Sequence, residues 1–197
     1  MCNGVCFVIS RTGEIYNSEE NISCHEAIIT ENNIHDGNMR NIVRIEMLPQ
    51  GDLFSTKEED WVCSVDEDNP PNWFTENYQE LRDKCYSKLW LIISGWMVNN
   101  TIEGNLDLCF TQIKTLGKLE HVGYLDLYKT QIETLGDLKD VKWYLDIRHT
   151  KIKSLGELKS IGTNLYLNKN QIIDMKDCVV GGRIFTDSDE SLDISNN

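Results

Sequence analysis

No stretch of this 197-residue chain approaches the roughly 18 consecutive apolar residues that a membrane-crossing helix needs. The longest candidate, Leu89 to Val98, is interrupted by Ser94 and Gly95. The N-terminus has no basic segment followed by an apolar run and a small-residue cleavage site, so a cytoplasmic protein without a membrane partner is expected. Basic residues are scarce as well: 19 Lys and Arg face 32 Asp and Glu, a net charge of −13. Such a field repels phosphate backbones and argues against nucleic acid as a direct partner. It favours a protein with a basic surface, although solubility alone is a sufficient reason for acidity. No phosphate-cradling glycine loop, HExxH, GxSxG or paired-carboxylate arrangement occurs, so neither catalysis nor a cofactor is expected.

The cysteines also lack a pattern. Cys2, Cys6, Cys24, Cys63, Cys85, Cys109 and Cys178 are odd in number, scattered and without a CxxC pair. They read as thiols in a reducing compartment, several of them serving as small core residues. A zinc set of Cys2, Cys6, Cys24 and His25 can be drawn, but it has no metal-ligand spacing, and no metal is assigned.

What the chain does have is a repeat. GNLDLCFTQIKTLGKLEHV starts at Gly104, GYLDLYKTQIETLGDLKDV at Gly123, WYLDIRHTKIKSLGELKSI at Trp143 and TNLYLNKNQIIDMKDCVV at Thr163. Apolar pairs two residues apart recur as Leu106 and Leu108, Leu125 and Leu127, Leu145 and Ile147, Leu165 and Leu167. That is strand spacing, with both side chains on one face. Ile113, Ile132, Ile152 and Ile172, then Leu116, Leu135, Leu155 and Met175, fill the rest of each coil. Leu119, Leu138, Leu158 and Cys178 follow, and Val122, Val141, Ile161 and Val180 return the chain to the next strand. A weaker fifth copy lies in Gly182 to Asp189, and the acidic tail from Asp187 to Asn197 suits a cap. A period near 20 residues predicts a solenoid, whose coils bury their apolar edges on one another and whose surface serves a partner.

The repeat resembles the leucine-rich repeat family, L-x-x-L-x-L-x-x-N-x-L, over roughly half the chain. Thr111, Thr130, Thr150 and Asn170 stand where that family places its asparagine. A threonine hydroxyl offers fewer groups than an amide but is still expected to bond the neighbouring coil.

Residues 1–98 read differently. Val5 to Ser10 and Glu14 to Tyr16 flank Arg11-Thr12-Gly13 as a hairpin. Ser23 to Glu26 has capping-box spacing for a helix toward Asn32, with Glu26 as cap partner and His25 exposed. Ile42 to Leu48 and Trp61 to Val65 read as strands. After Pro70-Pro71, a longer helix starts near Thr75, with Tyr78, Leu81, Cys85, Leu89, Ile92 and Trp96 at helical spacing. It is expected to cover the first coil, with Trp90 and Trp96 packing there. The fold class is therefore α+β: an acidic ββαββα domain over residues 1–98, then a solenoid of about five coils with a C-terminal cap over residues 99–197. The first 100 residues hold 7 basic against 17 acidic residues, net −10, and the remainder 12 against 15, net −3.

Together, MCNGVCFVIS, SCHEAII, NIVRIEMLP and DWVCSVDEDNPPNWF resemble the opening domain of uncharacterised bacteriophage and bacterial proteins. That resemblance implies a mobile-element origin and, by analogy, an inhibitor of a host defence protein acting in the host cytoplasm.

The candidate binding face follows from strand alternation. If Leu106 and Leu108 point inward, Asp107 points out, as do Asp126, Asp146 and Tyr166 in the next coils. On one side of this row stand Tyr124 and Tyr144. On the other are Phe110, Tyr128, Lys129, Arg148, His149 and Lys169, aromatic and basic types that dominate interface energetics. Stacked aspartates repel unless something basic relieves them, and Lys129 and Lys169 stand ready to do so. The reading is a non-enzymatic protein-binding module. One alternative is an enzyme in which removal of Met1 leaves Cys2 as nucleophile: MCNGVC is similar to the opening of N-terminal-nucleophile hydrolases and class II glutamine amidotransferases. Those need a larger sandwich of sheets than this domain can build, and no oxyanion site is found. The other is a self-assembling component joined through a solenoid edge. Asp66-Glu67-Asp68 reads as a solvated turn rather than a cation site.

Overall fold

The computed structural model describes residues 3–34 and 41–186, apart from 170, 172 and 176. Cys2, Asn170, Ile172 and the tail from Asp187 to Asn197 lie outside the described residues. β1 (Val5–Ser10) and β2 (Ile15–Tyr16) form the expected hairpin, followed by α1 (His25–Glu31), β3 (Ile42–Pro49) and β4 (Trp61–Val65). All pairings are antiparallel, in the order β2-β1-β3-β4. Alternation splits β1: Val5, Phe7 and Ile9 face the main core, while Cys6 and Val8 face α1.

α2 (Asn72–Glu76) and α3 (Tyr78–Asn99) follow, and among the described residues no helix is long and apolar enough to cross a membrane. α3 buries Leu81, Cys85, Tyr86, Leu89, Ile93 and Trp96. Trp96 meets Phe54 edge to face at 6.4 Å, and Trp90 packs on Tyr86 at 5.4 Å.

The solenoid carries two parallel ladders, where the repeat suggested one. β5 (Thr101–Asp107) and β6 (His121–Asp126) each contribute to both. β8 (Leu145–Asp146), β10 (Leu165–Leu167) and β12 (Ile184–Thr186) extend one ladder, in which Leu106, Leu125, Leu145, Leu165 and Ile184 stack in register. β7 (Asp140–Val141), β9 (Ser160–Ile161) and β11 (Val179–Val180) extend the other, stacking Ile102, Val122, Val141, Ile161 and Val180. The residues expected merely to return the chain therefore form a second wall. About four turns of chain connect the five rungs, and every rung's inward apolar side chain is buried except the half-buried Val180.

The threonines behave differently from expectation. Thr111, Thr130 and Thr150 donate their hydroxyls to Leu108, Leu127 and Ile147, three residues back in their own coil, at 2.7, 2.8 and 2.7 Å. They close the local turn and do not tie coil to coil. Between neighbouring coils, Asn168 and Gln171 supply side-chain bonds: Asn168 Oδ1 accepts the N–H of His149 at 3.1 Å, and Gln171 Nε2 donates to Ile152 O at 3.1 Å.

The first coil is covered by more than the expected helix. Main-chain N–H groups of Gly4 and Asn105 bond Asp107 O and Glu20 O, each at 2.7 Å, while Lys114 N–H bonds Gly51 O at 2.9 Å. Ser23, expected to cap α1, donates its hydroxyl to Gly4 O and accepts the N–H of Asp107 at 3.0 Å. The α1 N-cap is Cys24, without a side-chain cap bond, and Glu26 reaches Arg44 at 3.5 Å instead. One hydrophobic cluster runs from Val5 through α3 to Ile184, crossing the expected boundary at residue 98.

Candidate functional site

In the first three coils, the corner that follows the leucine ladder is built from the aspartate after the first leucine. Asp107, Asp126 and Asp146 accept the N–H two residues on, from Cys109, Tyr128 and Arg148, each at 2.9 Å. This turn delivers Phe110, Lys129 and His149 in the left-handed region, at φ of 59°, 56° and 57°. That conformation costs an ordinary residue about 1 kcal/mol. The chain places glycine at its other left-handed corner, Gly117, Gly136 and Gly156. At the first corner it keeps side chains, and Phe110 is 52% exposed.

The rings form two columns. Tyr124 stacks on Tyr144 at 4.5 Å, Tyr144 meets Tyr166 edge-on at 5.7 Å, and Tyr166 stacks on Phe185 at 5.1 Å. In the second column Phe110, Tyr128 and His149 meet edge to face at 5.4 and 5.1 Å. Lys129 Nζ lies 5.2 Å from both the Phe110 and Tyr128 rings. Arg148 bridges the columns, 5.3 Å from Tyr128 and from Tyr166. Lys169 is exposed, and no ring or ion-pair contact of it is seen among the described residues.

Between the columns the aspartate row is less open than alternation implied. Asp107 and Asp126 are half-buried, and Asp146 is only 3% exposed beneath Arg148, whose Nε lies 3.0 Å from its Oδ2. Arg148, not Lys129 or Lys169, neutralises this carboxylate. Burial pushes the Asp126 carboxyl up to about 6, with the charges of Asp146 and Asp107 adding to the shift against bonds from Cys109 and the Tyr128 N–H. The Cys109 thiol, buried between Asp107 and Asp126, is raised by burial first and by those two carboxylates next. Burial likewise raises the Tyr124 hydroxyl to about 12 and pushes Tyr144 up.

A raised carboxyl favours folding when protonated. The Asp126 contribution is present below its ordinary value of 3.8 and is lost as pH rises through about 6. Asp126→Asn keeps an oxygen for the Tyr128 N–H and removes the charge. The variant is expected to be more stable than the parent at pH 7 by about 2–3 kcal/mol, with the gap closing below about pH 4. Urea unfolding at several pH values checks this, and a gap that does not change with pH refutes it.

Sequence reasoning brought together Tyr124 and Tyr144, and Phe110, Tyr128, Lys129, Arg148 and His149; it set Tyr166 in the aspartate row, whereas its ring joins the tyrosine column. It missed Phe185, which stands 19 residues after Tyr166 and continues its column, and Cys109, whose position between two aspartates becomes meaningful only once coils stack. The Cys2 nucleophile lies outside the described residues, and so does that member of the drawn zinc set. His25, expected at the surface, is 1% exposed, with Nε2 2.9 Å from Ile45 O and Nδ1 3.6 Å from Asp66. It is carried inward because α1 lies across the sheet face that bears Cys6 and Val8. In comparisons with family models, with curated proteins and with solved structures, nothing matches this chain.

Proposed function

We propose that the chain is a non-enzymatic protein-binding module of the leucine-rich-repeat type, whose two aromatic columns and aspartate row take a basic surface of a partner protein. The observation that carries this reading is Asp126, a half-buried carboxylate stacked between Asp107 and Asp146 with no ion-pair partner among the described residues. Asparagine would serve the same turn without the charge, so the fold gives no reason for the carboxylate, whereas an incoming cation does. The left-handed Phe110, Lys129 and His149 support the same face, because glycine would relieve the backbone while losing the side chains. The acidic N-terminal half adds a long-range field that attracts the same kind of partner.

Reversing Asp146 is a poor test, because a lysine there would be buried against Arg148. Phe110→Ala with His149→Ala alters two exposed side chains of the second column and leaves the coil core intact. Partners captured by the tagged full chain from extracts of its native cells would be purified and titrated against this double variant and against Lys153→Ala, elsewhere on the coil. We expect the double variant to weaken binding by roughly 100-fold, the Lys153 control to bind as the parent does, and affinity to fall with added salt. Undiminished binding by a double variant with an unchanged melting curve overturns the assignment of the face. A partner without a basic surface overturns the proposed recognition.

A further inference from the structure

The geometry points to a zinc site formed by Cys6, His25 and Glu46, on the opposite side of the small sheet from the main core and independent of the binding face. Cys6 on β1 and Glu46 on β3 are direct cross-strand partners, so their side chains leave the same face of the sheet. α1 lies on that face and presents His25 from its first residue. One ligand atom from each of the three lies within 4.8 Å of the others. A tetrahedral zinc shell sets such atoms about 3.5 Å apart, a distance within reach of small side-chain rotations.

The surroundings are those of a buried site. Cys6, His25 and Glu46 are 0%, 1% and 9% exposed, beside a small apolar cluster of Val8, Ile28, Ile29 and Ile42. The His25 ring is held by Ile45 O through one nitrogen and faces Asp66 with the other. Metal binding needs one of these nitrogens bare: Nε2 leaves Ile45 O for the metal, while Nδ1 stays toward Asp66, the carboxylate behind the ring that orients a metal-binding imidazole. Asn3 adjoins the set: its N–H bonds Glu46 Oε1 at 3.2 Å, and its buried side-chain oxygen has no hydrogen-bond partner among the described residues. Sulfur, nitrogen and oxygen donors together suit zinc, whereas calcium and magnesium take oxygen. On binding, the Cys6 thiol gives up its proton to solvent, and the metal fixes α1 to β1 and β3.

The test uses the full chain, reduced and stripped with a chelator. Cobalt(II) should bind with one equivalent and give a thiolate-to-metal charge-transfer band that zinc abolishes. Cys6→Ala should remove the band, Cys24→Ala should keep it, and Asp66→Asn, acting from behind the ring, should weaken zinc binding by about tenfold. X-ray absorption of the parent's zinc complex needs no variant and should show one sulfur at about 2.3 Å with nitrogen and oxygen at about 2.0–2.1 Å. A band that survives Cys6→Ala, a shell with no sulfur or with two, or no zinc uptake by the parent overturns the site.

Discussion

Gly162→Ala is expected to destabilise the chain by about 3 kcal/mol or more, which for a protein of this size lowers the melting temperature by about 10 °C. A Cβ built at Gly162 falls 2.0 Å from Lys142 O, in the coil beneath. The backbone has no room to turn aside, since Gly162 N–H bonds Val141 O at 2.9 Å and Thr163 N–H bonds Trp143 O at 2.8 Å. The substitution therefore pushes two coils apart at the corner between the ladders. Gly156→Ala provides the contrast. Gly156 sits at φ +61° with nothing within 4 Å of its added Cβ, so only left-handed strain of about 1 kcal/mol applies. Urea midpoints for the two variants should differ by at least a factor of two in stability lost. Equal losses would mean that the stacking contact is not what confines the corner to glycine.

Leu125→Ala is expected to cost about 3–4 kcal/mol, because the side chain is 0% exposed and stacked in register with Leu106 below and Leu145 above. Ile184→Ala, on the last described rung and 8% exposed, should cost about half as much, since fewer neighbours surround it. Both variants should still unfold in one transition. The hydrophobic cluster runs unbroken from the small sheet through α3 into the solenoid, so a loss in one coil is shared by the whole. Near-ultraviolet signals from Trp61 and Trp96 should fall together with the far-ultraviolet signal of the coils. A second transition would show that the two parts fold separately.

These contrasts mark where the sequence was readable. Leu106, Leu125, Leu145 and Leu165 were legible as a strand ladder because they alternate with polar neighbours and recur every 19 or 20 residues. The second ladder was not, because each coil contributes to it one inward residue, such as Val141 or Ile161, and one residue carries no period of two. Gly123, Gly162 and Gly181 at its corner were visible, but their reason is a carbonyl from another coil, which becomes adjacent only after folding. Ser23 shows the same limit. Its spacing to Glu26 satisfied a helix-capping pattern, yet its hydroxyl closes a contact 84 residues away with Asp107. The pairing of Tyr124 with Tyr144 was legible from register, whereas the burial of Asp146 depended on Arg148 folding back over it. The burial of His25 depended on α1 crossing the sheet, which a lone histidine at a helix start does not announce.

The depth at which the thiols sit has a practical consequence. Burial raises Cys85, on the buried face of α3, to about 12 and pushes Cys109, in the first coil, up as well. Since the thiolate is the reactive form, alkylating reagents will modify these sulfurs only while the surrounding structure is open. The two cysteines therefore act as natural clocks at separate places in one chain. The rate at which each takes up label counts how often the helix and the first coil breathe, with no probe introduced into the protein.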